Sequence, residues 1–163
     1  MRRIVFIVVA LLALPLAATA DEPSYKATLA REVLHEIETK WKAAVKVDDG
    51  SPDLPVVKLS FSNCHAGDVT DAMLARLKVF PRLRELTINS EAVSDEGLRH
   101  LRELPELRTL TLIRVPVKTK GIGILKSLPH LQRLTLLRIE ISREALAELR
   151  KALPRTTIEW RRP

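Results

Sequence analysis

The chain has 163 residues, with 27 Lys or Arg against 20 Asp or Glu, a formal net charge of +7 and a 46% hydrophobic content. This apolar content excludes an intrinsically disordered chain, and the length suits one domain. Aromatics at 4% leave little for stacking on single-stranded nucleic acid, and the single cysteine, Cys64, excludes an internal disulfide and a cysteine-rich zinc site.

Met1-Arg2-Arg3, the uncharged apolar run from Ile4 to Ala18 and the small-x-small triplet Ala18-Thr19-Ala20 read as a signal peptide over residues 1–20, with Asp21 opening the mature chain. The run is shorter than the roughly 20 apolar residues of a spanning helix and carries Pro15; a retained N-terminal anchor is the alternative. No cysteine follows the run, so lipid attachment at a mature N-terminal Cys is excluded. The expectation is an exported protein, periplasmic or secreted, with no membrane span in the mature chain. Its charge is polarised: 12 basic and 16 acidic residues from Asp21 to Leu107, then 13 and 4 from Arg108 to Pro163.

Residues 21–55 read as an N-terminal cap. Leu29, Val33, Ile37 and Trp41 recur every four residues, one stripe of an amphipathic helix over about Tyr25 to Lys42. Ala44-Val45-Lys46-Val47 alternates as an edge strand does, and Asp49-Gly50 marks a turn before Val56.

From Val56 to the end the sequence repeats with a 24-residue period. Leu83-Arg84-Glu85-Leu86-Thr87-Ile88 aligns with Leu107-Arg108-Thr109-Leu110-Thr111-Leu112 and Leu131-Gln132-Arg133-Leu134-Thr135-Leu136. Val93, Val117 and Ile141 follow in register, then Leu98, Ile122 and Leu146, then Leu101, Leu125 and Leu149. Leu74, Leu77, Phe80 and Pro81 fit the helical half of an earlier unit, whose strand half, Val57 to Phe61, fits if three residues near His65-Ala66-Gly67 are inserted. Each unit alternates apolar and polar residues first, as a half-buried strand must, and then spaces leucines by three, as a short helix does. Ser94 is placed to N-cap such a helix, with Asp95 and Glu96 near its positive end. Lys118 replaces that serine in the next unit, so the glycines of Gly121-Ile122-Gly123 predict a loosely wound helix there. Neither half of a unit buries its apolar side alone, so neighbouring units must stack, and about four units pass the minimum for a continuous core. Thr157 to Trp160 reads as a last strand, with Trp160 covering the end of the core.

These units resemble the L-x-x-L-x-L-x-x-(N/C/T)-x-L signature of leucine-rich repeat proteins. Val93-Ser94-Asp95-Glu96-Gly97-Leu98 is similar to the strand-to-helix turn of the bacterial and ribonuclease-inhibitor-like branch. The resemblance implies an α/β leucine-rich repeat solenoid, a right-handed β–α superhelix, over residues 56–163, with a parallel concave sheet, convex helices and a C-terminal cap strand. The ninth repeat position, where the family places a polar turn residue, is Cys64, Glu91, Val115 and Ile139.

Catalysis finds little support. Cys64-His65 pairs a nucleophile with an imidazole, but no motif supplies an orienting acid or an oxyanion hole, and adjacent residues of extended chain point to opposite faces. Cys64 instead suits a buried position. His35, His65, His100 and His130 show no metal-ligand spacing, and Gly121-Ile122-Gly123 lacks the third glycine of a nucleotide loop. No enzyme, cofactor or metal is expected.

Two surface patterns remain. Lys78, Arg102, Lys126 and Arg150 recur every 24 residues and predict one basic column on the helical side, able to bind a polyanion or simply to keep the protein soluble. On the strands, three outward rows are expected. They are Lys58, Glu85, Thr109, Arg133, Thr157; then Ser60, Thr87, Thr111, Thr135, Glu159; then Ser62, Asn89, Ile113, Leu137, Arg161. Ile113 and Leu137, beside Arg114 and Arg138, combine aliphatic anchors with a basic rim, as a protein-binding patch does. Packing of that pair under a C-terminal flank or a dimer contact is the other reading. The sequence therefore points to a non-enzymatic module binding a protein, acidic in character, through Thr111, Thr135, Ile113, Leu137 and the flanking Arg114, Arg133, Arg138 and Arg161. The alternatives are an electrostatic binder of an anionic envelope polymer through the basic C-terminal half, and a structural or self-assembling role involving a Cys64 disulfide. Nucleic acid is not expected as a partner of an exported chain.

Overall fold

The structure, a computed structural model, describes residues 22–48, 55–62, 69–128 and 130–162. The signal-peptide reading of residues 1–20, the Asp49-Gly50 turn and Cys64-His65 lie outside the described residues.

The chain begins with α1 (Glu22–Thr39) and β1 (Ala44–Val47). Strands and helices then alternate: β2 (Val56–Phe61), α2 (Asp71–Arg76), β3 (Glu85–Asn89), α3 (Asp95–Leu98), β4 (Thr109–Ile113), α4 (Thr119–Lys126), β5 (Arg133–Leu137), α5 (Arg143–Ala152) and β6 (Thr157–Arg161). Short 3-10 turns, Leu77–Val79 and Arg99–Glu103, extend α2 and α3. All six strands form one sheet in chain order; β1 is antiparallel to β2, and every later pair is parallel. The protein is thus α/β with a mostly parallel sheet, its helices contacting one another in the same order.

The period predicts the register. Leu59, Leu86, Leu110, Leu134 and Ile158 pair across β2 to β6, and so do Phe61, Ile88, Leu112, Leu136 and Trp160. Leu59, Leu110 and Leu134 are fully buried, as are Phe61, Ile88, Leu112 and Leu136. One contiguous core joins these rows to Val93, Leu98, Leu101, Ile122, Leu125 and Leu149 from the helical halves. A buried leucine of this kind contributes about 1.5–3 kcal/mol relative to exposure. One residue of register slip would turn every one of them to solvent, so the pattern holds the strands in place.

A helix forms where the four-residue spacing implies one. α1 starts and ends three residues earlier than the sequence suggested, and Val33, Ile37 and Trp41 lie buried with Leu29 packed beside them. Lys42, in the left-handed conformation (φ 47°), turns the chain from the helix towards β1. Arg76 on α2 bonds Glu36 on α1, tying the two helices together.

Two local expectations are corrected. α4 is a regular α-helix of 8 residues, longer than the Ser94-capped α3, which has 4. Its start is held from outside the unit: Asp95 Oδ1 accepts from the Lys118 N–H at 2.9 Å, so a serine cap is not required. The polar turn residue after β3 is Ser90, not Glu91. Ser90 is fully buried, donates to the Val69 carbonyl at 2.7 Å and accepts from the Ala92 N–H at 3.1 Å, whereas Glu91 is exposed. After β4 and β5 the residue matching Ser90 is Arg114 or Arg138, each left-handed (φ 57° and 53°), and the chain turns Val115 and Ile139 inward instead.

Candidate interaction face

The side chains between the core rows point to the face of the sheet that no described helix covers, and the register sets them in columns. Glu85, Thr109, Arg133 and Thr157 pair in one row, Thr87, Thr111, Thr135 and Glu159 in the next, and Asn89, Ile113, Leu137 and Arg161 in the third. Neighbouring strands lie about 4.8 Å apart, so residues in a row are in side-chain reach. The character changes along the sheet. At the β2–β3 end Lys58 pairs with Glu85 at 2.7 Å, and Asn89 Nδ2 donates to the Ser62 carbonyl at 3.0 Å. At β4 and β5 the third row becomes aliphatic: Ile113 and Leu137 sit side by side and half-buried, beside half-buried Thr111 and Thr135.

Arginines flank this aliphatic pair. Arg133 is exposed in the first row and Arg161 beside Leu137 in the third, and Arg114 and Arg138 stand where the strands end. The backbone N–H of Arg114 donates to the Leu137 carbonyl and that of Arg138 to the Arg161 carbonyl, both at 3.0 Å, which continues the ladder one residue past each strand. A left-handed arginine costs about 1–2 kcal/mol that glycine would avoid. Arg114 is half-buried, and its Nε donates to Asn89 Oδ1 at 3.0 Å. A relay of hydrogen bonds thus runs from Ser62 through Asn89 to Arg114 and fixes the guanidinium beside Ile113. Just past the strand ends an open groove of about 510 Å³ has Val115 and Ile139 in its wall, Arg114, Lys118 and Arg138 as cations, and Glu91 and Glu140 as acids. Chemically, this face can accept an aliphatic side chain and pair with carboxylates; Arg138, being exposed, is the more accessible of the two strand-end arginines.

The basic column on the helical side is less uniform than its spacing implies. Lys78 and Arg150 are exposed, but Arg102 Nε donates to Ser127 Oγ at 2.7 Å and Lys126 pairs with Glu148 at 2.5 Å. That hydrogen bond, together with the lysine's charge, holds the Glu148 carboxyl below the usual carboxylate range. The column therefore presents less net charge than four cations would. Of the histidines, His100 contacts Glu103 at 2.9 Å and His130 is exposed.

Sequence reasoning overlooked the joints between units. Asp71 Oδ1 accepts from the Ser94 N–H at 2.8 Å while its Oδ2 accepts from Ser94 Oγ at 2.5 Å, and Asp95 repeats the backbone contact on Lys118. Each carboxylate occupies the space over a glycine of the next helix: a Cβ on Gly97 would lie 2.0 Å from Asp71 Oδ1, and one on Gly121 would lie 2.3 Å from Asp95 Oδ1. The recurrence of both Asp and Gly at the repeat period was the available signal. Asn89, the other overlooked residue, carries no such recurrence.

Among the described residues no helix is long and apolar enough to cross a membrane. No protein-family model matches the chain, and no curated protein matches it.

Proposed function

We propose that the chain is an exported, non-enzymatic binding module of the leucine-rich repeat kind, a right-handed β–α solenoid whose concave sheet face docks another protein. The observation that carries this reading is the in-register pairing of β4 with β5. It sets Ile113 beside Leu137 and Thr111 beside Thr135 on the uncovered face, with arginines on either side. The support for the repeat architecture is the 24-residue recurrence in the sequence together with the strand order. A sheet with fixed register loses little conformational entropy on docking, so a modest aliphatic anchor is enough to hold a partner. Arg114, Arg133, Arg138 and Arg161 favour an acidic partner and speed its approach. The N-terminal run of residues 1–20 supports export to the periplasm or beyond.

The test is affinity capture from an envelope extract with the native chain and with Ile113→Asp/Leu137→Asp, both checked by circular dichroism. A partner held by the native chain and lost by the folded variant supports the reading; an unchanged set of captured proteins overturns it. Binding of an anionic polymer through Lys78, Arg102, Lys126 and Arg150 is the weaker reading, because two of those cations are already engaged. It predicts binding that falls steeply with salt and ignores Ile113.

A further inference from the structure

The two ends of the sheet are built differently. β1 is a four-residue strand antiparallel to β2, and their register shifts between Lys46 and Val47, with Val57 of β2 as the extra residue; short edge strands and bulges are devices that blunt an edge. β6 closes the described sheet at the other end in unbroken register with β5 and without a proline between Thr157 and Arg161. The Thr157 N–H donates to the Gln132 carbonyl, and the Arg161 carbonyl accepts from Arg138. Odd-numbered residues of β6 thus turn their backbone groups to β5. The alternation of a parallel ladder turns those of Ile158, Trp160 and Arg162 the other way. Ile158 and Trp160 continue the core rows of Leu134 and Leu136. Those leucines are 0% exposed, whereas Ile158 and Trp160 are only partly buried, the indole anchored by its Nε1 on the Ile139 carbonyl at 2.9 Å and covered by the Arg162 guanidinium. On the opposite face of the same strand, Glu159 and Arg161 alternate, both exposed.

We infer that β6 pairs antiparallel with β6 of a second copy of this chain, about a two-fold axis at Trp160, in the register that sets Glu159 of each copy against Arg161 of the other. The charges select this register. Shifting the pairing by one step of the ladder in either direction sets Glu159 against Glu159 or Arg161 against Arg161, and like charges directly opposite destabilise a strand pair. In the selected register Trp160 meets Trp160, and Ile158 lies opposite Arg162. Each of those pairs exchanges both backbone hydrogen bonds through the groups that point away from β5. Side chains opposite one another share a face, so the two cores meet edge to edge and the two Ile113–Leu137 patches lie on one continuous surface. The dimer does not depend on the binding role proposed above.

Sedimentation equilibrium of the purified full chain, under reducing conditions so that Cys64 contributes no disulfide, tests the pairing. The native chain is expected to be a dimer. Glu159→Arg and Arg161→Glu each convert both cross-strand pairs from attraction to repulsion and should weaken dimerisation by roughly tenfold. The double variant Glu159→Arg/Arg161→Glu restores the complementarity and should recover it. A monomeric native chain, a dimer indifferent to the single reversals, or a double variant that stays dissociated overturns the inference. Amide exchange gives a readout free of substitutions: the Trp160 N–H should be protected at high protein concentration and exchange faster on dilution, whereas concentration-independent exchange overturns the pairing.

Discussion

The joints between successive units come in two kinds. Between α2 and α3, and again between α3 and α4, an aspartate of one unit reaches across to the backbone of the next, and a glycine leaves room for it. Between α4 and α5 the same positions hold Thr119 and Ala145. There the unit caps itself: Ser142 Oγ accepts from the Ala145 N–H at 3.0 Å, and the contact between units passes to the Lys126–Glu148 ion pair on the surface. Losing the carboxylate and gaining the methyl go together, because the space over the glycine belongs to one or the other. A repeat can therefore be tied to its predecessor by a carboxylate, with a serine cap of its own as at Ser94 or without one as at Lys118, or rest on its own cap alone, and the tie depends on two residues 26 positions apart.

Substitutions at these joints separate the two designs. The largest effect is expected at Gly97→Ala, whose Cβ would meet both the Asp71 carboxylate and, at 3.1 Å, the Asp71 Cα. The displaced carboxylate and strained backbone should cost about 2–3 kcal/mol, read from the denaturant midpoint. At the second joint the constraint is mostly the side chain, which permits a double-mutant cycle. Asp95→Ala alone should cost about 1 kcal/mol. Gly121→Ala should destabilise the native background and cost clearly less after Asp95→Ala, which leaves only the contact with Val117 Cγ1 at 3.0 Å and approaches the Thr119–Ala145 arrangement. Additive effects there would break the comparison. Gly123 is the internal control: nothing lies within 4 Å of its Cβ position. Gly123→Ala should therefore stabilise α4 by about 0.5–1 kcal/mol. The smallest change belongs to Glu148→Gln, because an exposed ion pair contributes little to stability. Since Lys126 lowers the carboxyl's affinity for protons in the folded state, the contribution is complete above the ordinary carboxylate range and is lost as pH falls through the lowered value. Glu148→Gln should remove that part of the acid sensitivity and leave stability at neutral pH almost unchanged.

Much of the fold was legible because one period governs both strand alternation and helix spacing. Leu86, Leu110 and Leu134 could be aligned before any coordinates, and the outward rows followed by parity. The same arithmetic placed Ile113 beside Leu137. It failed where a residue acts on another unit or where the backbone leaves the regular regions. Asp95 read as a partner for its own helix dipole, although its carboxylate serves Lys118 in the next unit. Glycine was read as slack in Gly121-Ile122-Gly123, whereas Gly121 is a close-packing requirement and only Gly123 lies in open space. No glycine marks the left-handed turns at Arg114 and Arg138, so the inward residue after β3 was placed one position late, at Glu91. Of the candidate face, the rows were visible, but the tether of Arg114 to Asn89 depends on side-chain reach across strands, which spacing does not encode.

The irregular joint between β1 and β2 has a consequence for how far such molecules can build on one another. Among the described residues β1 is a four-residue edge beside a bulged neighbour, a poor template for a further strand, so two copies joined through β6 would each have used the edge better suited to growth. Assembly by that route favours a closed pair over a filament.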